Sequence, residues 1–292
     1  MADFIARLVT LALLFVPLAS LHAEVPKTEE ERTAAMRTLE WKRGGGSFHL
    51  DASSSTLVVD PKHVTLLGAD ARRFFELNNG VAAAAGLEAM VVDPGSDSLV
   101  SLLSTREGYV RFDDWSDVDA DAMLNDIKEG TAEANKKRAS LGMGALSVVG
   151  WRQKPTLDKT QQTVSWAIEG RAGGEPLVNA VLLTFGRHGY EKLTWIGPGE
   201  LDPAPMLTQV RDNFRFDPGA QYADFRDGDK VAEYGIAALV ATAVGAKVAA
   251  KFGLIAMAAL FIKKGWVIVI AVGAGLWGWL RKRMGAKAGP ST

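Results

Sequence analysis

The chain has 292 residues, 48 % of them hydrophobic and 23 % charged, a composition that folds and does not suggest disorder. It contains no cysteine, which excludes disulfides and a thiol-acylated lipoprotein N-terminus. The net charge of −1 hides a division: residues 24–235 carry 24 basic against 33 acidic side chains, while residues 236–292 carry eight basic and none acidic. An acidic body argues against nucleic acid as a partner, and a basic apolar tail argues for a membrane.

Residues 1–23 have a short polar tip with Arg7, an apolar run over residues 8–21 and a small residue, Ala23, at the end. That pattern is expected of a secretory signal peptide cleaved after Ala23, with an uncleaved signal anchor as the alternative. Thr28 followed by Glu31 has capping-box spacing and predicts a helix over residues 29–41. Gly44, Gly45 and Gly46 end it and read as a turn, because the Lys-Ser or Lys-Thr pair of a phosphate loop does not follow.

Two short strands are expected at residues 57–61 and 64–68, on either side of a proline turn, followed by a helix over residues 69–78. Further strands are expected at residues 89–92, 99–103 and 109–112. A helix over residues 119–139 has Met123, Leu124 and Ile127 on one face and basic side chains in its last turn. Residues 146–151, 163–169, 177–185 and 190–196 form four successive strands, the pattern of an antiparallel meander. Asp202-Pro203 opens a last helix whose buried stripe is Met206, Leu207, Val210 and Phe214. Grouped strands with interspersed helices predict an α+β fold: antiparallel sheet or sheets in one exported domain of one or two subdomains, residues 24–235.

The tail divides at its lysines. Residues 265–280 are the expected transmembrane span, flanked by Lys263 and Lys264 on one side and Arg281, Lys282 and Arg283 on the other, with Trp266, Trp277 and Trp279 near its ends. Residues 281–292 form a basic cytoplasmic tail, which places the main domain outside an inner (cytoplasmic) membrane, as the signal peptide also does. Residues 236–264 make an apolar helix at or in the membrane, with a hairpin of two spans as the alternative. Ala241, Gly245, Ala249 and Gly253 would line one stripe of it, where self-association is one reading.

The candidate chemistry is sparse. Asp113, Asp114, Asp117, Asp119 and Asp121 form a dense acidic cluster that begins like a calcium loop and then lacks its glycine and closing glutamate. Helix capping is the plainer reading. Asp224 and Asp229 belong to a second acidic group before the tail, and Asp229 is expected to open the helix that leads toward the membrane. Arg187 sits between Gly186 and Gly189 in a turn that could offer a guanidinium to an anionic ligand; the plainer reading pairs it with an aspartate. No histidine pair has metal-ligand spacing and no nucleophile elbow is present, so neither metal nor cofactor is expected.

Short segments in this order resemble the bacterial membrane-anchored family of domain of unknown function 2167. They are Gly108-Tyr109-Val110 with Asp113-Asp114, Gly150-Trp151 with Pro155 and Asp158, Trp166-Ala167, Asn179, Gly186-Arg187-His188-Gly189, Tyr222-Ala223-Asp224-Phe225 and Asp229-Lys230-Val231-Ala232-Glu233-Tyr234-Gly235. Phe112 and the pair Thr156-Leu157 depart from the pattern. The resemblance implies a signal-bearing, C-terminally anchored protein and no particular activity. The expectation is therefore a non-enzymatic binding or interaction module of the cell envelope, held by lipid contacts of its tail and joined to itself or to another envelope protein. An extracytoplasmic hydrolase using carboxylate chemistry is the alternative. The residues singled out for either role are Arg187, Asp113, Asp114, Asp224 and Asp229.

Overall fold

The computed structural model describes residues 25–244, all within the first of two compact units, Met1–Val248. The expected signal peptide, the span at 265–280, the basic tail and all but the first nine residues of the 236–264 helix lie outside the described residues. Among the described residues no helix is long and apolar enough to cross a membrane.

The fold is α+β with antiparallel sheets. Helix α1 (Glu29–Arg37) starts with the capping box: the Thr28 hydroxyl accepts the Glu31 amide at 3.2 Å and the Glu31 carboxylate accepts the Thr28 amide. It stops at Thr38, short of Trp41, because Trp41 turns back to donate its indole N–H to the Met36 carbonyl and packs edge-on against Phe74. Strand β1 (Lys42–Arg43) then leads through the glycine turn to β2 (Gly46–Leu50) and β3 (Ser55–Val59). Gly45, at φ +73, lies so close to the Val59 carbonyl that a Cβ would stand 2.5 Å from it. Glycine is needed here for the chain to cross from one sheet to the other.

Beyond Pro61 come β4 (Val64–Leu67), helix α2 (Gly68–Asn79), β5 (Leu87–Asp93) and β6 (Ser98–Thr105). Helix α3 (Ala120–Ser140) precedes the meander β7 (Leu146–Asp158), β8 (Thr163–Ala172), β9 (Glu175–Gly186) and β10 (Gly189–Pro198). Helix α4 (Ala204–Asp212), β11 (Phe214–Phe216) and helix α5 (Ile236–Val244) complete the described chain.

The large sheet has the order β1-β4-β5-β6-β10-β9-β8-β7 and the small one β11-β3-β2. Strands β3 and β4 thus flank the proline turn as expected but belong to different sheets. Alternation, interrupted by bulges in β5 and β7, gives the large sheet two apolar faces. One face presents Val91, Val100, Leu102, Ala180, Leu193 and Trp195 to the small sheet and α4. The opposite face is covered in two places: α1 and α2 pack on Leu66, Met90 and Leu99, while α3 and α5 pack on Trp166, Val181 and Leu183. Trp166 of β8 and Trp195 of β10, on either side of β9, are buried on opposite faces of the same sheet.

Three expectations need correction. Residues 109–112 form no strand; Tyr109 makes a single bridge, to Val231, because its neighbours serve an aromatic cluster. Phe214 is not on the last stripe of α4 but begins β11, paired with Leu57. Asp229 does not open a helix: α5 starts at Ile236, and the Asp229 carboxylate is taken by Arg187.

Candidate functional site

The hairpin end joining β9 to β10 is the Gly186–Gly189 turn. Gly189, at φ +154, would place a Cβ 1.9 Å from the Thr105 carbonyl, so the turn lies directly against the end of β6. Two segments are laced to this turn. The Gly108 amide donates to the His188 carbonyl at 3.0 Å, and the Arg187 amide donates to the Ala220 carbonyl at 2.8 Å. They are also laced to each other, since the Tyr109 amide donates to the Lys230 carbonyl at 2.8 Å and the Ala232 amide to the Tyr109 carbonyl at 2.9 Å. Residues 219–235 therefore form a strap across the hairpin end.

A fork of charge closes the strap. Arg187 donates from Nε to Asp229 Oδ2 and from Nη2 to Asp229 Oδ1, both at 2.7 Å, and from Nη1 to the Gly219 carbonyl at 3.2 Å. Both side chains are 15 % exposed. Such a bidentate pair fixes orientation as well as charge. The Arg226 amide adds a third bond to Asp229 Oδ2 at 2.7 Å. Hydrogen bonds from Arg187 first, and from the Arg226 amide second, hold the Asp229 carboxyl down to about 2. The same bonds push the Arg187 guanidinium above its ordinary range. Asp224 works locally, its Oδ2 accepting the amides of Gly219 at 2.8 Å and Gln221 at 3.0 Å.

Beneath the fork lies a run of rings. Tyr109 is stacked between Tyr222 and Phe225, with centroids 4.4 and 4.1 Å away. Phe112 lies parallel to Tyr222 at 5.3 Å and edge-on to Phe185 at 5.1 Å. The Tyr222 hydroxyl donates to the Val110 carbonyl at 2.8 Å, and burial, with Tyr109 next to it, raises its phenol above the ordinary range. Phe112, a departure from the family pattern in the sequence, is thus a packing member of this stack.

The five candidate residues gather around one segment. Arg187, Asp224 and Asp229 tie the strap. Asp114 is half-buried with its carboxylate against Gly235, the residue before α5, where a negative charge favours the helix. Asp113 is exposed, near enough to Tyr222 for its charge to act on the phenol. Asp119 caps α3, accepting the amides of Asp121 and Ala122 at 3.1 and 2.9 Å. Among the described residues no three His, Asp or Glu side chains are grouped so as to hold a metal ion. Tyr109, Tyr222 and Phe225 were not among the candidate residues, although two of them stand in the Tyr222-Ala223-Asp224-Phe225 segment, which was the available signal.

Beside the strap an open groove of about 350 Å³ is lined by residues that include Gln161, Gln162, Arg215, Phe216 and Tyr222. Its one carboxylate, Asp212, accepts bonds from Nε and Nη2 of Arg211, which also lines the groove.

No curated protein matches the chain. Among solved structures it is similar to cyanobacterial PsbP from Synechocystis sp. PCC 6803, at 11 % identity and a TM-score of 0.33, over 60 % of this chain and 93 % of that one. A Bacteroides thetaiotaomicron protein is similar at 10 % identity and a TM-score of 0.30, over 59 % and 48 % of the two chains. The Saccharomyces cerevisiae Ran-binding protein Mog1p is similar at 11 % and 0.26, over 61 % and 98 %. At these TM-scores none of them carries an argument about this chain. The family described as Protein of unknown function (DUF2167) matches residues 42–274, which include every segment of the strap and its hairpin, and the chain belongs to that family.

Proposed function

We propose that the chain is a membrane-anchored extracytoplasmic protein whose folded domain is a non-enzymatic binding module. The observation that carries this reading is the Arg187–Asp229 fork. It spends the most distinctive charged residues of the family segments on fastening the strap, just before the chain enters its acid-free tail. A domain held firmly at the root of a membrane tail is suited to presenting a surface. The groove beside the strap, with its guanidinium and amide rim, is the surface offered to an envelope ligand or protein. Hydrolysis between two carboxylates is the second reading, and the single, already bonded carboxylate of that groove favours binding over it.

In this reading residues 1–23 are removed on export, residues 265–280 span the inner membrane, residues 281–292 face the cytoplasm and the lipid contacts are those of the tail. Residues 236–264 carry any self-association. Single cysteines at Ser140 and Ser291, treated in whole cells with a membrane-impermeant thiol reagent, test the topology. Labelling at position 140 alone is expected, and labelling at position 291 alone overturns the orientation. Crosslinking of the intact protein in membranes tests binding. Adducts with another envelope component are expected to disappear on substitution of Arg215, and recovery of self-adducts alone overturns a heterologous partner.

A further inference from the structure

We propose that Glu88 and Glu191 form a proton-dependent latch, which fastens the β2–β3 turn to the large sheet when one proton is bound and releases it in alkali. Glu191 lies in β10 on the same face as Leu193 and Trp195, opposite Ser104 of β6 and Thr184 of β9. It is 0 % exposed, and neither of its carboxyl oxygens has a hydrogen-bond partner. Glu88 comes from a bulge in β5: the register shifts between Leu87 and Ala89, so that Leu87 packs under the helices and Ala89 under the small sheet. The bulge aims Glu88 at the β2–β3 turn, where its two oxygens accept the amides of Ala52 at 2.5 Å and Ser53 at 3.1 Å.

One carboxylate is therefore bonded as an anion, and a second is enclosed nearby with nothing to stabilise its charge. An enclosed carboxyl of that kind keeps its proton. Burial raises the Glu191 carboxyl well above the ordinary range, and the Glu88 charge raises it further. Among the described residues no cation relieves it. Arg106, at the end of β6, donates to the Ala52 carbonyl. His49 lies between Asp51 and Asp217, at 3.4 and 3.6 Å, near the exposed end of the small sheet. Lys192 is next in the chain but points to the helix-covered face, opposite Leu103 and Leu183.

Ionising Glu191 requires water, and water reaches it when the turn lifts. An open turn lets Glu191 ionise in the ordinary glutamate range, whereas the closed turn holds the proton well above it. The sign follows: above the ordinary glutamate range, for as long as the closed turn keeps the proton, each pH unit multiplies the opening constant about tenfold, and the latch is firmest in acid.

Hydrogen exchange of the full-length protein in detergent micelles, from about pH 6 to 9, tests this. Intrinsic exchange already rises about tenfold per pH unit, so the Ala52 and Ser53 amides should rise about a hundredfold per unit. The Val58 amide, bonded to the Asn213 carbonyl, should follow the intrinsic slope. Glu191→Gln should remove the extra slope at Ala52 and Ser53, and Glu191→Met should do the same if the glutamine variant does not fold. An ordinary slope in the wild type, or an extra slope surviving either substitution, overturns the latch. Suppression of the extra slope by millimolar calcium or magnesium would assign the pair to a cation and overturn it equally.

Discussion

Gly108→Ala separates the two ways in which the strap can be held. Gly108 adopts φ +105, and a Cβ there would stand 2.7 Å from the Lys230 carbonyl oxygen and 3.0 Å from the Ala232 nitrogen. The backbone conformation alone costs about 1–3 kcal/mol for a residue with a side chain. Relieving the contact means moving the strap by several tenths of an ångström away from Tyr109, which strains the two bonds Tyr109 shares with Lys230 and Ala232. Each is worth about 0.5–1.5 kcal/mol net, so the total loss is about 2–6 kcal/mol. Gly228→Ala supplies the comparison: its φ is +96, with no atom within 4 Å of the added carbon, so it should lose the backbone share alone. Urea denaturation followed by tryptophan fluorescence should place Gly108→Ala below Gly228→Ala by about 1–3 kcal/mol, the worth of the two bonds. Equal losses in the two variants would refute the close approach as the fastening of the strap.

The remaining predictions concern charge and rings at the same place. The Asp229 carboxyl is held down to about 2, so its contribution is complete above the ordinary aspartate range and is lost as pH falls through about 2. Amide exchange in residues 226–232 should show that acid step in the wild type and not in Asp229→Asn; the same step in both would assign it to another group. Tyr222→Phe removes the donor to the Val110 carbonyl and keeps the stack, so a loss of about 1 kcal/mol is expected in the same urea assay. The wild type should also contain two phenols that resist ionisation in an absorbance titration, those of Tyr222 and of buried Tyr190; Tyr222→Phe should leave one, and survival of both would show that the raised group is another tyrosine.

Much of the secondary structure was legible because its signals are local. Thr28 and Glu31 specify the start of α1 from three residues apart, and Asp119 does the same for α3. The meander was readable from turns between apolar runs, although β7 extends to Asp158, past the residue where its pattern ends. Strand β2 went unseen because Gly46–Leu50 carries mostly exposed residues and pairs only through β3. Residues 109–112 misled for the opposite reason: Tyr109, Val110 and Phe112 look like a strand, but their apolar groups are used for ring stacking and for contacts under α5.

The candidate site was legible as a set of residues and not as an arrangement. Arg187 and the two aspartates stood out by type and by their glycine and tyrosine neighbours. Which aspartate would meet the guanidinium depends on where a hairpin end and a strap 42 residues away come to lie. Glu88 and Glu191 were silent in the sequence, because a glutamate in a strand reads as solvent-facing until a bulge and a second sheet enclose it.

By itself the sequence determined the caps, the order of most helices and strands, the acidic body and the acid-free tail, since each depends on neighbours within a few residues or on composition. Only the tertiary structure decided that β3 and β4 part into different sheets, that Arg187 takes Asp229, and that two glutamates are enclosed together. These depend on register and layer packing, where a shift of one residue exchanges the buried face for the exposed one.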